Sequence, residues 1–287
     1  MNAPQLAVGL SEISDRYDVV LCDIWGVIHN GREAFPAACE ALSRFNAERG
    51  PVVLISNAPR PNPPVIEQLY GFGVPKGAFA EIATSGDATR TLLAERAPGP
   101  AWKLGPDRDW PLYEGLDLAF VPLPEARFIA CTGPFDDENE TPEDYRERFE
   151  AAVARGLEMV CANPDIVVQR GDKLIYCGGA LAQLYEALGG RVLMAGKPHK
   201  AIYDLALAKA AERLGRPVDR SRVLCIGDGL GTDIRGANAQ KLDVAFIANG
   251  IHGAETVRDG RLDLAIATHL LEVEGLTAAW AMADLVW

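Results

Sequence analysis

Apolar residues in this chain come in short unbroken runs, and four of those runs stop abruptly on polar or glycine residues. Val19-Val20-Leu21-Cys22 stops at Asp23, Val52-Val53-Leu54-Ile55 at Ser56-Asn57, Val223-Leu224-Cys225-Ile226 at Gly227-Asp228, and Val244–Ala248 at Asn249-Gly250. Runs without polar alternation suit strands buried on both faces, as in a parallel sheet covered by helices. Residues 34–49, between the first two runs, read as a helix with Pro36 near its start and Gly50 past its end. Strand, helix and strand make a βαβ unit, with both strands ending at one edge of the sheet. Ligands of such sheets bind just outside the carboxyl ends of the strands, where Asp23, Ser56 and Asp228 fall. Gly26 supplies the backbone freedom to turn away from that edge.

The proline-rich loop 58–64 delays the next helix to roughly 65–72. From about 83 the pattern changes. Thr84 or Ser85 caps a helix running to Ala97, and strand-like runs recur at Leu118–Val121, Phe128–Cys131, Met159–Ala162 and Ile166–Gln169. Thr141, Pro142, Asp144 and Gly156 mark the cap, first turn and stop of another helix, with Tyr145, Phe149 and Ala152 on one face. Arg170-Gly171-Asp172 reads as a turn. The first domain resumes at Val192-Leu193-Met194-Ala195, followed by a helix over 200–214 and a last short strand at Leu264–Ala267. The pattern predicts an α/β protein with a parallel-sheet core from 1–82 and 190–287 and a second α/β domain, 83–189, inserted into it.

Composition narrows the class. At 287 residues the chain is long enough to bury a full α/β core. Its net charge of −12 excludes a broad nucleic-acid or anionic-membrane footprint. The six cysteines form no C-x-x-C pair and most sit in apolar runs, so they read as small buried hydrophobes of a reducing compartment. Residues 1–17 lack a basic start followed by an apolar stretch, and no apolar run reaches the ~18 residues of a membrane span. The expected location is the cytoplasm.

In a parallel sheet, four loops converge on one edge: Asp23, Ser56 with Asn57, the loop Gly196-Lys197-Pro198-His199, and Asp228 with Asp233. Carboxylates brought together without a cation repel one another, so a hard divalent metal is the natural occupant. Mg²⁺ takes one or two carboxylates plus water and a substrate phosphate. A lysine and a small hydroxyl are what a transferring phosphoryl group needs, as a fixed charge and a hydrogen-bond donor. Gly227-Asp228-Gly229-Leu230-Gly231 also suggests a dinucleotide site, but Thr232 stands where the third glycine is required and no acid ends the next strand.

The ordered set D-x-x-G-V from Asp23, Ser56, Gly196-Lys197-Pro198 and G-D-x-x-x-x-D over Gly227–Asp233 resembles the haloacid dehalogenase superfamily. Within it, Cys161-Ala162-Asn163-Pro164-Asp165, Cys177–Ala182 and Gly196–His199 look like subfamily IIA, which includes phosphatases acting on nitrophenyl phosphate, pyridoxal phosphate, phosphoglycolate and nucleotide monophosphates. The resemblance implies a Rossmann-like core with an α/β cap of the C2 type inserted between the second and third motifs. It implies Asp23 as the nucleophile that becomes a phospho-aspartate, and Ser56 and Lys197 as phosphate-binding groups, with Asn57 adding a backbone or side-chain donor. Mg²⁺ is then held by the Asp23 carboxylate, the backbone carbonyl of Trp25 and Asp228, with Asp233 beside it or one layer out. Asn163 and Asp165 are expected to bind substrate from the cap. The implied partner is a small phosphorylated metabolite, with no nucleic acid and no membrane, and a homodimer formed through the caps.

One departure matters. Phosphatases of this superfamily place a second Asp two residues after the nucleophile as general acid and base; here that residue is Trp25. Indole donates a hydrogen bond but neither delivers nor accepts a catalytic proton. The metal site survives, because only the carbonyl of that residue is needed. His29 is the stand-in acid to weigh, against the reading of a surface-loop histidine. The expected activity is phosphate hydrolysis favouring good leaving groups. The alternatives are a dehalogenase-like hydrolase of the same fold, and a catalytically weak protein that binds a phosphorylated ligand.

Overall fold

The computed structural model describes residues 3–170, 173–258 and 261–287. The turn expected at Arg170-Gly171-Asp172 falls on Gly171 and Asp172, which lie outside the described residues. A seven-stranded sheet is built from β1 (Gln5–Leu6), β2 (Val19–Cys22), β3 (Val52–Ser56), β4 (Glu81–Thr84), β11 (Val223–Gly227), β12 (Asp243–Ile247) and β15 (Trp280–Met282), in the order β1-β15-β12-β11-β2-β3-β4. A four-stranded sheet holds β5 (Ala101–Leu104), β6 (Phe128–Cys131), β7 (Glu158–Cys161) and β10 (Arg191–Met194), in the order β10-β7-β6-β5. Two small antiparallel ribbons are β8 (Val167–Arg170) with β9 (Lys173–Tyr176), and β13 (Val257–Arg258) with β14 (Arg261–Leu262).

The chain divides into two compact units. The first holds Met1–Ser56, Ile66–Ala83 and Tyr203–Trp287; the second holds Asn57–Val65 and Thr84–Ile202. In the first unit β2 pairs in parallel with both β3 and β11, and every residue of β2 and β11 is buried. Helices α1 (Pro36–Glu48) and α7 (Arg235–Gln240) make the β2–β3 and β11–β12 crossovers. The apolar runs are therefore continuous because both faces of the sheet are covered.

In the second unit β5, β6, β7 and β10 pair in parallel. One face packs Tyr145, Phe149, Ala152, Leu181 and Tyr185 against Ile129, Cys131 and Met159. The other packs Leu93, Leu112 and Tyr113 against Phe128, Ala130 and Val160. Helix α3 (Ser85–Ala94) starts at Thr84, whose hydroxyl accepts the Asp87 N–H while the Asp87 carboxylate accepts the Thr84 N–H. Tyr145 ends a 3₁₀ turn, Pro142–Tyr145, ahead of α4 (Arg146–Ala154), and its ring joins Phe149 as the sequence predicts.

Several expectations are corrected. Helix α2 (Asn62–Gly71) begins before Val65, with Pro63 and Pro64 in its first turn; proline is tolerated there because the first-turn N–H groups have no partner within the helix. Leu118–Val121 is not a strand and contributes one bridge, between Ala101 and Phe120. The neighbouring strand is β5, hidden in the sequence by its shortness and by Lys103. Arg191–Met194 does not return to the first sheet; it pairs residue for residue with Glu158–Cys161 of the second. Leu264–Val273 is helix α9, capped by Asp263, rather than a strand at Leu264–Ala267. All six cysteines are buried and none is in a disulfide. Among the described residues no helix is long and apolar enough to cross a membrane.

Candidate active site

In the first unit, register decides what meets at the carboxyl edge. Cys22 is level with Ile226 and with Leu54, and the Asp23 N–H donates to the Ile226 carbonyl at 2.8 Å. Asp23 therefore sits beside Gly227, one residue before Asp228. Ser56 lies one step further along β3 than the level of Asp23 and is half-buried. Asp23, Asp228 and Asp233 are all buried, and one carboxylate oxygen of each lies within 4.8 Å of the others. They form the one group of acidic, histidine or cysteine side chains among the described residues placed to hold a metal ion.

Glycines make this approach possible. Gly26 adopts φ +84°, and a Cβ there would lie 2.2 Å from Asp228 Oδ2. A Cβ on Gly227 would meet the Asp233 side chain at 2.3 Å, and one on Gly250 would meet Asp228 Oδ2 at 2.0 Å. The glycine spacing of this loop thus serves carboxylates rather than a dinucleotide. The Ile251 N–H donates to Asp228 Oδ2 at 2.8 Å, the Ile24 N–H to Asp23 Oδ1 at 2.7 Å, and Gly229 N–H and Thr232 Oγ1 each to Asp233 Oδ2 at 3.2 Å. Tyr203, fully buried, donates its hydroxyl to the Asp233 carbonyl at 3.4 Å. The Ile251 contact was missed in the sequence; its signal is that Ile247 ends β12 level with Asp228, so Asn249-Gly250-Ile251 must turn across it.

Three buried oxygen donors around one point fit a hard divalent cation. Without a cation each pair repels by about 3.5 kcal/mol at an effective dielectric of ~20, a cost that a bound divalent cation would offset.

Trp25 and His29 share a loop at this edge. A Cβ on Gly31, whose φ is +84°, would lie 2.7 Å from Trp25 Cζ2, so the indole rests against the Gly31 backbone. The His29 ring packs edge-on to Trp25 at 5.1 Å and to Phe72 at 4.9 Å. His29 is 3 % exposed, and its Nδ1 accepts the Gly31 N–H at 3.0 Å. Burial lowers its pKa from 6.5 to about 4, opposed by a backbone hydrogen bond. It is neither a surface-loop histidine nor a proton donor at neutral pH.

A stability prediction follows from that shift. The unfolded chain protonates His29 near 6.5 and the folded chain near 4, so unfolded molecules gain a proton first as pH falls. The contribution is full above pH 6.5 and is lost as pH drops toward 4, on the order of 3 kcal/mol in total. His29→Asn, whose Oδ1 can take the place of Nδ1, should lose this part of the pH dependence in urea unfolding between pH 4.5 and 7. Parallel curves for the two proteins would show that burial does not depress this imidazole.

The second unit gathers the remaining predicted residues. Lys197 and Asn57 are buried. Asn57 Oδ1 accepts the Lys197 N–H at 2.7 Å, while Asn57 Nδ2 donates to the Lys197 carbonyl at 3.2 Å and to Asp165 Oδ1 at 2.7 Å. Both amide hydrogens of Asn57 are therefore engaged within this unit. Asn163 Oδ1 accepts the Asp165 N–H at 3.1 Å, so its carbonyl oxygen closes a local turn. Gly178 and Gly179 open helix α5 (Gly178–Ala187) directly against this turn: a Cβ on Gly179 would meet the Pro164 carbonyl oxygen at 2.1 Å.

Residues 20–118 match a family model described as haloacid dehalogenase-like hydrolase, and residues 194–273 match one described as HAD-hydrolase-like. The crystal structure of a hydrolase of the haloacid dehalogenase-like family from Brucella suis is 44% identical, covers 98% of this chain and 100% of that one, and superimposes with a TM-score of 0.88. An acid sugar phosphatase of Staphylococcus saprophyticus is 25% identical over 84% of this chain and 90% of its own length. A glycerol phosphate phosphatase of Mycobacterium tuberculosis, crystallised with calcium, is 25% identical over 83% of this chain and 68% of that one, with a TM-score of 0.61.

Proposed function

The chain belongs to the haloacid dehalogenase-like hydrolase family, and from that premise we propose that it is a Mg²⁺-dependent phosphatase of a small phosphorylated metabolite, acting through a phospho-aspartate on Asp23. The observation that carries this reading is the cluster of Asp23, Asp228 and Asp233. A dehalogenase has no need of a metal, whereas these three buried carboxylates are costly without one. The names of the two phosphatase relatives point to a phosphorylated sugar or polyol as the substrate class.

The Asp23 and Asp228 carboxylates and the Trp25 carbonyl would hold the metal, with Asp233 next to them. Bound there, the cation would neutralise charge on the substrate phosphoryl oxygens and on the carboxylates themselves. Asp23 attacks phosphorus through a carboxylate oxygen, and the bond to the leaving oxygen breaks. Water then attacks the phosphorus of the aspartyl phosphate, releasing inorganic phosphate and restoring Asp23. Ser56 donates its hydroxyl to the phosphoryl oxygens, and Lys197 stabilises their charge. Trp25 supplies no proton to the leaving group, and this favours the second reading, a weak catalyst that mainly binds its phosphorylated ligand.

Chelation followed by titration with Mg²⁺ tests the proposal. Nitrophenyl phosphate hydrolysis should vanish in excess chelator and return with Mg²⁺, and Mg²⁺ should raise the melting temperature. Asp228→Asn, nearly isosteric in the space left by Gly26 and Gly250, should raise the half-saturating Mg²⁺ concentration at least ~10-fold, since even residues behind a metal ligand matter that much. Full turnover after exhaustive chelation would overturn the metal assignment. A protein that binds phosphate esters in Mg²⁺ without hydrolysing them would establish the second reading.

A further inference from the structure

We propose that the side chains of Asn57 and Asp165 are positioning groups for Lys197: they lock the backbone that carries its ammonium and do not themselves contact the phosphoryl group. This rests on the reading of Lys197 as the phosphate-binding cation. Asn57 brackets a single residue, taking the Lys197 N–H on Oδ1 at 2.7 Å and returning an Nδ2 hydrogen to the Lys197 carbonyl at 3.2 Å. The other Nδ2 hydrogen goes to Asp165 Oδ1 at 2.7 Å. Each hydrogen of the amide has a partner, so this side chain is a clamp. The bond to an ionised Asp165 is charge-assisted and so stronger than a neutral one.

Asp165 is itself held at both ends of its peptide. Its N–H donates to Asn163 Oδ1 at 3.1 Å and its carbonyl accepts the Gly179 N–H at 2.9 Å. Gly196, just before the lysine, has no room for a side chain: a Cβ would lie 2.5 Å from Ser85 Oγ, 2.6 Å from Asn57 Oδ1 and 2.8 Å from Pro164 Cγ. Three segments distant in sequence, at Asn57, Ser85 and Pro164, thus close around the Gly196-Lys197 peptide. A flexible four-carbon side chain delivers its charge to one place only if its backbone is fixed, and this junction fixes it.

The test is a double-mutant cycle on the full chain, with nitrophenyl phosphate and Mg²⁺, alongside melting temperatures. Lys197→Ala should lower kcat/KM by ~10²-fold or more, and Asn57→Ala by ~10-fold. The double variant should be no worse than Lys197→Ala within about twofold, because a residue acting only through Lys197 has nothing left to position. Asp165→Ala should fall as far as Asn57→Ala and show the same masking. Asp165→Asn should recover most of the kcat/KM that Asp165→Ala loses, since its amide oxygen still accepts from Asn57. If Asn57→Ala fails to fold, the Asp165 pair completes the cycle alone. Additive losses, or an Asp165→Asn variant as impaired as Asp165→Ala, would overturn the proposal. A Lys197→Ala variant with full kcat/KM would instead remove the phosphate-binding role of Lys197, and with it the basis of the clamp.

Discussion

Asp23→Asn should fold like the parent and release phosphate at least ~10⁴-fold more slowly, the largest single effect expected in this molecule. The amide is neither a nucleophile at phosphorus nor an anionic metal ligand, so both roles proposed for the carboxylate fail together. The fold should survive because the backbone contact is untouched: the Asp23 N–H still reaches the Ile226 carbonyl, and an amide Oδ1 can still accept the Ile24 N–H. Removing one of three mutually repelling carboxylates should even leave the metal-free protein as stable as the parent or more so. The measurement is phosphate release together with the melting temperature in chelator. A variant keeping a tenth of parental turnover would remove Asp23 from the nucleophile's role.

Trp25 carries the second large effect. When Asp23 attacks phosphorus, an alkoxide leaves poorly unless protonated, whereas a phenolate near pKa ~7 leaves unaided. General acid help is worth about 10²–10⁴-fold, and its loss falls selectively on alkyl esters. The protein should therefore hydrolyse nitrophenyl or acyl phosphates faster than alkyl phosphates by a factor of that order. It should also show a burst of nitrophenol, because hydrolysis of the phosphoenzyme lacks a general base. Trp25→Asp should raise alkyl phosphate turnover by ~10-fold or more, with a smaller gain on nitrophenyl phosphate. It should also lower stability, since the indole packs on Gly31 and His29. Equal rates on alkyl and aryl esters in the parent, with no burst, would place the proton donor on another residue. His29 is a poor choice for it, because burial holds its pKa near 4.

Much of the site was legible in the sequence because it rests on short-range rules. Strands β2, β3 and β11 announce themselves as unbroken apolar runs, and parallel pairing puts whatever follows them at one edge. Asp23, Ser56 and Asp228 needed no further information to be singled out. Asp233 was equally readable: it lies five residues from Asp228, within a single glycine-spaced turn.

Tertiary structure alone decided the rest. Val192-Leu193-Met194 is an apolar run like those of the first sheet, and nothing local tells which sheet a buried strand joins; pairing with Glu158–Cys161 settled it. His29 looked exposed because its loop is polar and short, yet Phe72 and Trp25 close over it from positions that no periodicity connects. Asn57 is separated from Asp165 by 108 positions and from Lys197 by 140. An amide side chain reads the same in sequence whether it faces a substrate or a peptide. Which one it meets depends on the packing that brings distant loops together, here through glycines at 179 and 196 that leave no space for anything else.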